Sequence, residues 1–126
     1  MAQTDKYHEL IECLRDIYLE DSFVLGLFED QDSIEFELEA VLTEKHQSYH
    51  PPKPNEQHCY KKLVLRFGNC SNINWIRISL RPSTDANGEI DYGNIDRFSV
   101  EKDQLHLSGD WGEVRLQCSD VSLRYG

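Results

Sequence analysis

The sequence has no hydrophobic run long enough to cross a membrane, and its first residues are polar. A membrane-spanning helix needs about 20 predominantly apolar residues. A secretory signal needs a basic region followed by an apolar one, and Met1–Glu9 shows neither. We therefore expect no signal peptide and a cytoplasmic location.

Basic residues are also scarce, with 13 Lys and Arg against 23 Asp and Glu and a formal net charge of −10. Proteins that bind nucleic acids neutralise phosphates with Lys and Arg, and anionic membranes likewise attract basic segments. The charge balance therefore predicts neither nucleic acid nor membrane as a partner. It favours electrostatic steering toward a basic protein.

Paired cysteines and catalytic signatures are missing as well. The four cysteines, Cys13, Cys59, Cys70 and Cys118, show no CxxC spacing, so in a reducing compartment we expect free thiols. In a secreted chain the even count would permit disulfides of unknown connectivity. The chain has no GxSxG element and no identifiable Cys–His signature. We expect no cofactor and no bound metal.

What is present predicts a single domain over residues 1–126, since 126 residues can bury one core. Between about residues 5 and 19, apolar side chains recur at helical spacing, which predicts an amphipathic N-terminal helix. They are Tyr7, Leu10, Ile11, Leu14, Ile17 and Tyr18. The helix is expected to pack on a β region over about residues 22–125.

In the β region the pattern changes to strict alternation. Residues 34–42 place apolar side chains on one side and Glu35, Glu37 and Glu39 on the other, which predicts a half-buried strand. Basic outward positions such as Lys62 and Arg66 are expected to pair with these glutamates. Further strands are predicted near 58–67, 73–81, 95–101, 104–108 and 113–118, with a turn at 68–72 and a last short segment at 121–125.

Hairpin-length connections between these strands predict antiparallel neighbours. Gly109 and Asp110 separate two alternating runs and form a hairpin signal. The expected fold class is mainly β (α+β), an antiparallel meander of about seven strands that forms a sandwich or a partial barrel.

Two segments have features of metal sites. The loop Ser83–Asn94 resembles a calcium loop, but Ser83 stands at its first position and Asn94 at its last, where a bidentate Glu is needed. A polar turn is the alternative. The second segment contains only one cysteine and has prolines beside its histidines, so the alternative is that these histidines simply lie on the surface. It comprises His46, His50, His58 and Cys59.

A third hypothesis is an acid/base enzyme. Several polar and aromatic residues of the C-terminal half lie near strand ends, where they could converge, and a desolvated carboxylate could exchange protons. They are Asp91, Tyr92, Asp96, His106, Asp110 and Trp111. The alternatives are turn, loop and core roles for the same residues.

The favoured hypothesis is an acidic protein-binding surface. Carboxylates around exposed Tyr92 and Trp111 would suit a basic partner, because charge raises the association rate and aromatic side chains anchor the complex. A solvated surface is the alternative. The candidate partner-binding residues are Glu35, Glu37, Glu39, Asp85, Glu89, Asp91, Tyr92, Asp96, Asp110 and Trp111.

The chain also resembles a known group of proteins. The segments that carry the resemblance are residues 19–24, 49–54, 59–60, 91–98 and 109–114, which include Tyr-His-Pro-Pro-Lys-Pro and Gly-Asp-Trp-Gly-Glu-Val. They look like those of an uncharacterised family of small bacterial β proteins, which is in turn similar to immunity proteins of polymorphic toxin systems. Such proteins often carry His-Asp where this chain has Glu20 and Asp21.

The resemblance implies a cytosolic single-domain inhibitor that binds and blocks a basic toxin. Other hypotheses are the acid/base or metal-dependent enzyme and a phage-type inhibitor whose carboxylates mimic nucleic-acid phosphates. The protein is expected to be a monomer or a homodimer formed through an edge strand.

Overall fold

A computed structural model describes residues 14–47, 49–52, 54, 59–79, 83–84, 90–101 and 104–125. The described chain is antiparallel β, which confirms the predicted mainly β class. Its strands are β1 (Ile17–Glu29), β2 (Ile34–Leu42), β3 (Cys59–Ile78), β4 (Ser83–Thr84), β5 (Ile90–Asp91), β6 (Ile95–Glu101), β7 (Gln104–Gly109) and β8 (Gly112–Tyr125). No helix of the described chain is long and apolar enough to span a membrane.

Six strands form one sheet in the order β1-β2-β3-β8-β7-β6, and β4 pairs with β5 separately. The outer strands approach each other, because Val24 N–H donates to the Gly93 carbonyl and Tyr92 N–H to the Val24 carbonyl, both at 2.8 Å. The sheet is therefore nearly closed into a barrel, as the partial-barrel prediction required. A simple meander is wrong, since β3 pairs with β8 and not with the next strand along the chain.

The core fills the barrel interior. Strand β2 spans the predicted residues, and its alternate residues Ile34, Phe36 and Leu38 are fully buried. The Phe36 ring makes edge contacts with Phe67 and Trp111, at centroid distances of 6.0 and 5.0 Å. Burial of such aromatic and aliphatic side chains is the main stabilising contribution to a domain of this size.

The N-terminal helix is not supported. Residues 5–13 of the predicted helix lie outside the described residues, and the rest is a short turn followed by β1. Ile17 and Leu19 are buried while Tyr18 is 42% exposed, which is the alternation of a strand. Of the six apolar residues that predicted the helix, only Leu14, Ile17 and Tyr18 lie in the described part, where branched and aromatic side chains favour the strand.

The turn predicted at residues 68–72 is wrong, because β3 runs through it. Asn69 adopts a left-handed φ of 50°, and the pairing of β3 with β8 shifts register just after Cys70. An Asn in that conformation makes a bulge that bends a strand without ending it. Cys70 N–H also donates to the Asp32 carbonyl at 2.8 Å, which fixes the bulge against the β1–β2 connection.

The prediction of free thiols at Cys70 and Cys118 is also wrong. The two residues are direct partners on β3 and β8 and form a disulfide. Cys59 is a buried free thiol, as expected. The spacing of the cysteines could not reveal the disulfide, because it depends on the nonlocal pairing of β3 with β8.

The β7–β8 hairpin is present, with its turn one residue later than predicted. Gly109 pairs with Gly112, so the two turn residues are Asp110 and Trp111. Gly112 has a φ of 146°, and a Cβ at this position would collide with the Arg77 carbonyl oxygen. The segment Val121–Tyr125 is the continuation of β8 and not a separate edge strand.

Candidate binding surfaces

Three aspartates meet at one end of the barrel, and we call them the barrel-end aspartates: Asp91, Asp96 and Asp110. Asp91 ends β5 and Asp110 lies in the β7–β8 turn. Asp96 occupies a bulge in β6, between the pairs that Ile95 and Arg97 form with β7. A turn, a bulge and a strand end thus place three carboxylates on neighbouring segments.

Gly93 allows these carboxylates to approach. Its N–H donates to Oδ1 of Asp91 at 2.8 Å. A Cβ on Gly93 would lie 2.7 Å from Oδ2 of Asp110, and the φ of Gly93 is 91°. Only glycine fits a left-handed position so close to a neighbouring side chain without strain. Gly93 therefore lies between Asp91 and Asp110.

The electrostatic environment of this end disfavours negative charge. Partial withdrawal from water raises the pKa of Asp96, and the nearby Asp110 carboxylate raises it further. Desolvation and a like charge both disfavour the ionised form. Within the described part of the chain, no ion pair involves the barrel-end aspartates. Their negative charges are thus not offset by a described salt bridge.

Asn94 and Trp111 hold this end of the barrel in place. The Asn94 side-chain amide donates to the Ser22 carbonyl on β1 at 2.8 Å. The Trp111 indole N–H donates to the Asn94 carbonyl at 3.0 Å. The buried Ser22 hydroxyl in turn accepts the Val41 N–H at 2.9 Å. The segment between β5 and β6 is therefore anchored to β1, and through Ser22 to β2.

The exposed aromatic anchors predicted beside the aspartates are not there. Trp111 is fully buried and contacts Phe36 and Trp75, with ring centroids at 5.0 and 6.1 Å. Tyr92 is half-buried and packs against the core. The exposure expected for Trp111 is wrong, because its indole group closes the end of the core and satisfies its N–H internally.

The residues of the acid/base hypothesis converge only in part. His106 Nε2 lies 2.6 Å from Oε2 of Glu113 on β8. His106 is four residues from Asp110 along β7, which is roughly 13 Å of extended chain. The imidazole and the barrel-end aspartates therefore belong to different parts of the sheet.

The glutamates of β2 form a second acidic region, the glutamate face: Glu35, Glu37 and Glu39. Glu35 is the cross-strand partner of Arg66, and Glu39 of Lys62.

Glu35 contacts two cations. Its Oε2 lies 3.5 Å from Arg66 Nε, and its Oε1 lies 3.9 Å from Arg124 Nη2. The expected pairing of these glutamates with basic residues is confirmed at Glu35. The glutamate face is therefore a surface of mixed charge.

The remaining candidates give no metal centre among the described residues. Asp85 and Glu89 of the Ser83–Asn94 loop, and His58 of the histidine set, lie outside them. Across the described segments, no group of three or more His, Cys, Asp and Glu residues could hold a metal ion. His46 Nε2 lies 2.9 Å from the Tyr125 hydroxyl, and His50 Nδ1 lies 3.0 Å from the Pro51 carbonyl.

Sequence reasoning missed a groove beside β1, β2 and the loop that follows β2. Its volume is about 690 Å³, within the usual range for ligand sites. Tyr18, Val41 and Tyr49 contribute apolar wall, and Arg15 and Lys45 lie at the same groove. Nothing in the sequence indicated it, because its walls come from strands and a loop that only the barrel brings together.

Models of known protein families, curated proteins and solved structures were all compared with this chain, and none of them matches it. Function is therefore inferred from the charges and contacts of the two acidic regions, and the resemblance to immunity proteins stays a prediction.

Proposed function

We propose that this protein is an acidic binding module, and most specifically an immunity-type inhibitor that binds and occludes a basic toxin. The proposed contact surface is centred on the barrel-end aspartates, Asp91, Asp96 and Asp110. Binding needs no cofactor. Its specificity would come from the fixed positions of the three carboxylates and from the backbone around Gly93.

The observation that carries the proposal is the approach of the carboxylates around Gly93, whose N–H donates to Asp91 and whose Cα faces the Asp110 carboxylate. Partial burial raises the pKa of Asp96, the Asp110 carboxylate raises it further by repulsion, and no described cation pairs with either one. A Lys or Arg from a partner would relieve this repulsion. Complementary charge of this kind raises association rates and disfavours wrong partners.

The glutamate face is less suited than the barrel-end aspartates to bind a basic partner. One of its carboxylates, that of Glu35, already contacts Arg66 and Arg124. A basic partner would have to compete with these arginines. The same contacts make a row of phosphate-like charges along β2 less suitable as a nucleic-acid mimic.

Binding is also favoured over acid/base catalysis. The only imidazole of the proposed catalytic set, that of His106, lies against Glu113 and not against the aspartates. General acid/base chemistry needs both groups within hydrogen-bond reach of one reacting atom. A charged contact surface needs only that the carboxylates are fixed and accessible, and Asp96 and Asp110 are exposed.

The test is affinity capture from the native host lysate with two charge-reversed variants compared side by side. Asp96→Lys with Asp110→Lys should lose a basic partner that the unmodified protein retains at low salt and releases at high salt. The matched control is Glu35→Lys with Glu39→Lys, which makes the same change of charge on the glutamate face and should retain it. Retention by the first variant and loss by the second would overturn the assignment of the surface.

Inhibition is then tested on the purified partner. Addition of the unmodified protein should abolish the partner's toxic activity in a growth assay, and the Asp96→Lys, Asp110→Lys variant should leave that activity intact. A captured partner whose activity is unaffected by saturating protein would exclude the inhibitor role and leave a binding module of another kind.

A further inference from the structure

Strand β3 extends well beyond its partner β2. The pairing of β2 with β3 ends at Ile34 and Phe67, whereas β3 continues to Ile78. From Asn72 to Ile78 its described partner is β8, which lies on one side only. We call residues 71–78 the free edge. Among the described residues, no strand pairs with its other side.

An edge of this kind presents hydrogen-bonding groups to solvent. In an antiparallel pair, alternate residues direct N–H and C=O away from the partner strand. Eight residues of extended chain span roughly 26 Å, enough for a short ladder with another strand. The β1–β2 connection covers the start of this edge, since Asp32 accepts the Cys70 N–H, and the free edge begins just after it.

The free edge lacks the lysine and proline that often protect an edge strand, although its pairing with β8 shifts register at Ser71 and at Ile76. Proteins commonly place lysines, prolines or inward charges on such strands to prevent pairing. Residues 71–78 contain no proline and no lysine, and the guanidinium of Arg77 is directed to the Gly109 carbonyl at 3.1 Å. Ile76 and Ile78 are 48% and 59% exposed. Among the described residues, exposed apolar side chains thus lie beside backbone groups that have no partner strand.

The charge of this segment is also unlike that of the rest of the chain. Residues 69–81 contain no Asp or Glu, although the chain has 23 acidic residues and a net charge of −10. Two copies of so acidic a protein repel each other over most of their surfaces. One carboxylate does lie against this segment, since Glu29 of β1 accepts the Trp75 indole N–H at 3.0 Å. Two copies would still meet little repulsion along the rest of the segment, which itself carries no acidic residue.

We propose that the free edge pairs with the free edge of a second copy of this chain, antiparallel across a two-fold axis. A two-fold axis places the same strand of two copies side by side and antiparallel, so the interface is self-complementary. Hydrogen bonds between the two β3 strands would satisfy the outward backbone groups, and Ile76 and Ile78 would become covered. The sheets of the two barrels would then be continuous through this pair of strands.

This dimer is separate from the proposed binding of a basic protein. The barrel-end aspartates would attract a basic protein and repel another copy of this acidic chain. The free edge, in contrast, would bind a second copy of the chain. Salt distinguishes them. Screening weakens attraction between opposite charges and also weakens repulsion between two acidic copies. Added salt should therefore strengthen self-association while it releases a basic partner.

The experiment is sedimentation equilibrium of the purified protein over a wide range of concentrations, at low and high salt. We expect a monomer–dimer equilibrium whose dissociation constant falls as salt is added. Ile76→Lys should raise that constant by about tenfold or more, because it puts a charge on the apolar side chain beside the pairing strands. A monomer at every concentration and salt would overturn the proposal.

A matched variant controls for the added charge. Tyr18→Lys puts the same charge on an apolar side chain that is 42% exposed near the start of β1, at the opposite end of that strand from Glu29, whose carboxylate contacts Trp75 of the free edge. It should leave the dissociation constant unchanged, whereas equal weakening by both variants would show that net charge and not the free edge controls association. Circular dichroism of both variants verifies the fold. Hydrogen exchange of amides 71–78 should slow with increasing concentration in the unmodified protein.

Discussion

The glutamate face and the barrel-end aspartates are both rows of carboxylates, but the fold treats them differently. Glu35 lies on a regular strand, and the neighbouring strand β3 and the strand after it, β8, bring Arg66 and Arg124 within 4 Å. Asp96 and Asp110 lie in a bulge and a turn, where partial burial raises the pKa of Asp96 and the neighbouring carboxylate raises it further. Acidic residues in a sequence therefore indicate a binding surface only when no neighbouring cation in the fold compensates their charge.

The largest effect is expected when the side chain that anchors the aspartate end of the barrel is removed. Trp111→Ala deletes a fully buried indole group that packs on Phe36 and donates to the Asn94 carbonyl. We expect a loss of about 3–5 kcal/mol in the free energy of unfolding, because the cavity cannot be refilled. Urea unfolding followed by circular dichroism measures it. A loss below about 1 kcal/mol would contradict the core position of this side chain.

The disulfide supports the other region, because it joins the two strands that carry Arg66 and Arg124. Replacing both Cys70 and Cys118 by Ser removes a link between residues 48 apart in sequence. The expected decrease in stability is about 2–4 kcal/mol, chiefly because the unfolded chain gains freedom. Thermal unfolding with and without reductant measures it. Reductant should lower the melting temperature of the unmodified protein and leave the double variant unaffected.

The difference can be reduced by making the glutamate face resemble the aspartate end. Arg66→Gln with Arg124→Gln removes both cations that contact Glu35. These pairs are partly exposed, so we expect a loss of only about 0.2–1 kcal/mol in stability. The same variant should be retained more strongly than the unmodified protein on an anion exchanger. If its stability falls by several kcal/mol, the two arginines have a structural role beyond charge compensation.

The raised pKa of Asp96 also makes the stability of the protein depend on pH in a way that distinguishes the barrel-end aspartates from the glutamate face. Its pKa in the folded protein lies above the ordinary value of 3.8, so above that value the folded state binds more protons than the unfolded chain. Stability therefore falls as pH rises from 3.8 through the folded pKa. Asp96→Asn should remove this fall and slightly stabilise the protein at neutral pH. Unfolding of the unmodified protein and of Asp96→Asn, measured across this pH range, detects the difference, and parallel pH profiles of the two would contradict the expectation.

The local patterns of the sequence predicted the strands well. Strict alternation over Ile34–Leu42 identified β2 and the outward direction of its glutamates, because a half-buried strand requires that period. The two-residue hairpin before β8 was recognisable for the same reason. What failed depended on distant contacts: the bulge at Asn69, the Cys70–Cys118 disulfide and the pairing of β3 with β8.

The candidate site was predictable only as a set of residue types. The acidic residues near the C-terminal turns were identified, but the separation of His106 from the aspartates follows from the sheet register. Nothing in the sequence showed that Trp111 would be buried, since a turn next to Gly112 is usually exposed. The groove beside Tyr49 was missed for a similar reason, as its walls are assembled from distant segments.

The pairing of β3 with β8 also determines when this barrel can form during synthesis. The three strands β1, β2 and β3 emerge from the ribosome first, and β8 follows all the others. Until β8 emerges, the half of β3 that carries Trp75 and Ile76 has none of the described strands beside it, and Phe36 and Phe67 lack the Trp111 end of the core. Nascent chains with unpaired strands are exposed to aggregation. The time between the synthesis of β3 and that of β8 is therefore the interval in which a chaperone would matter most to this protein.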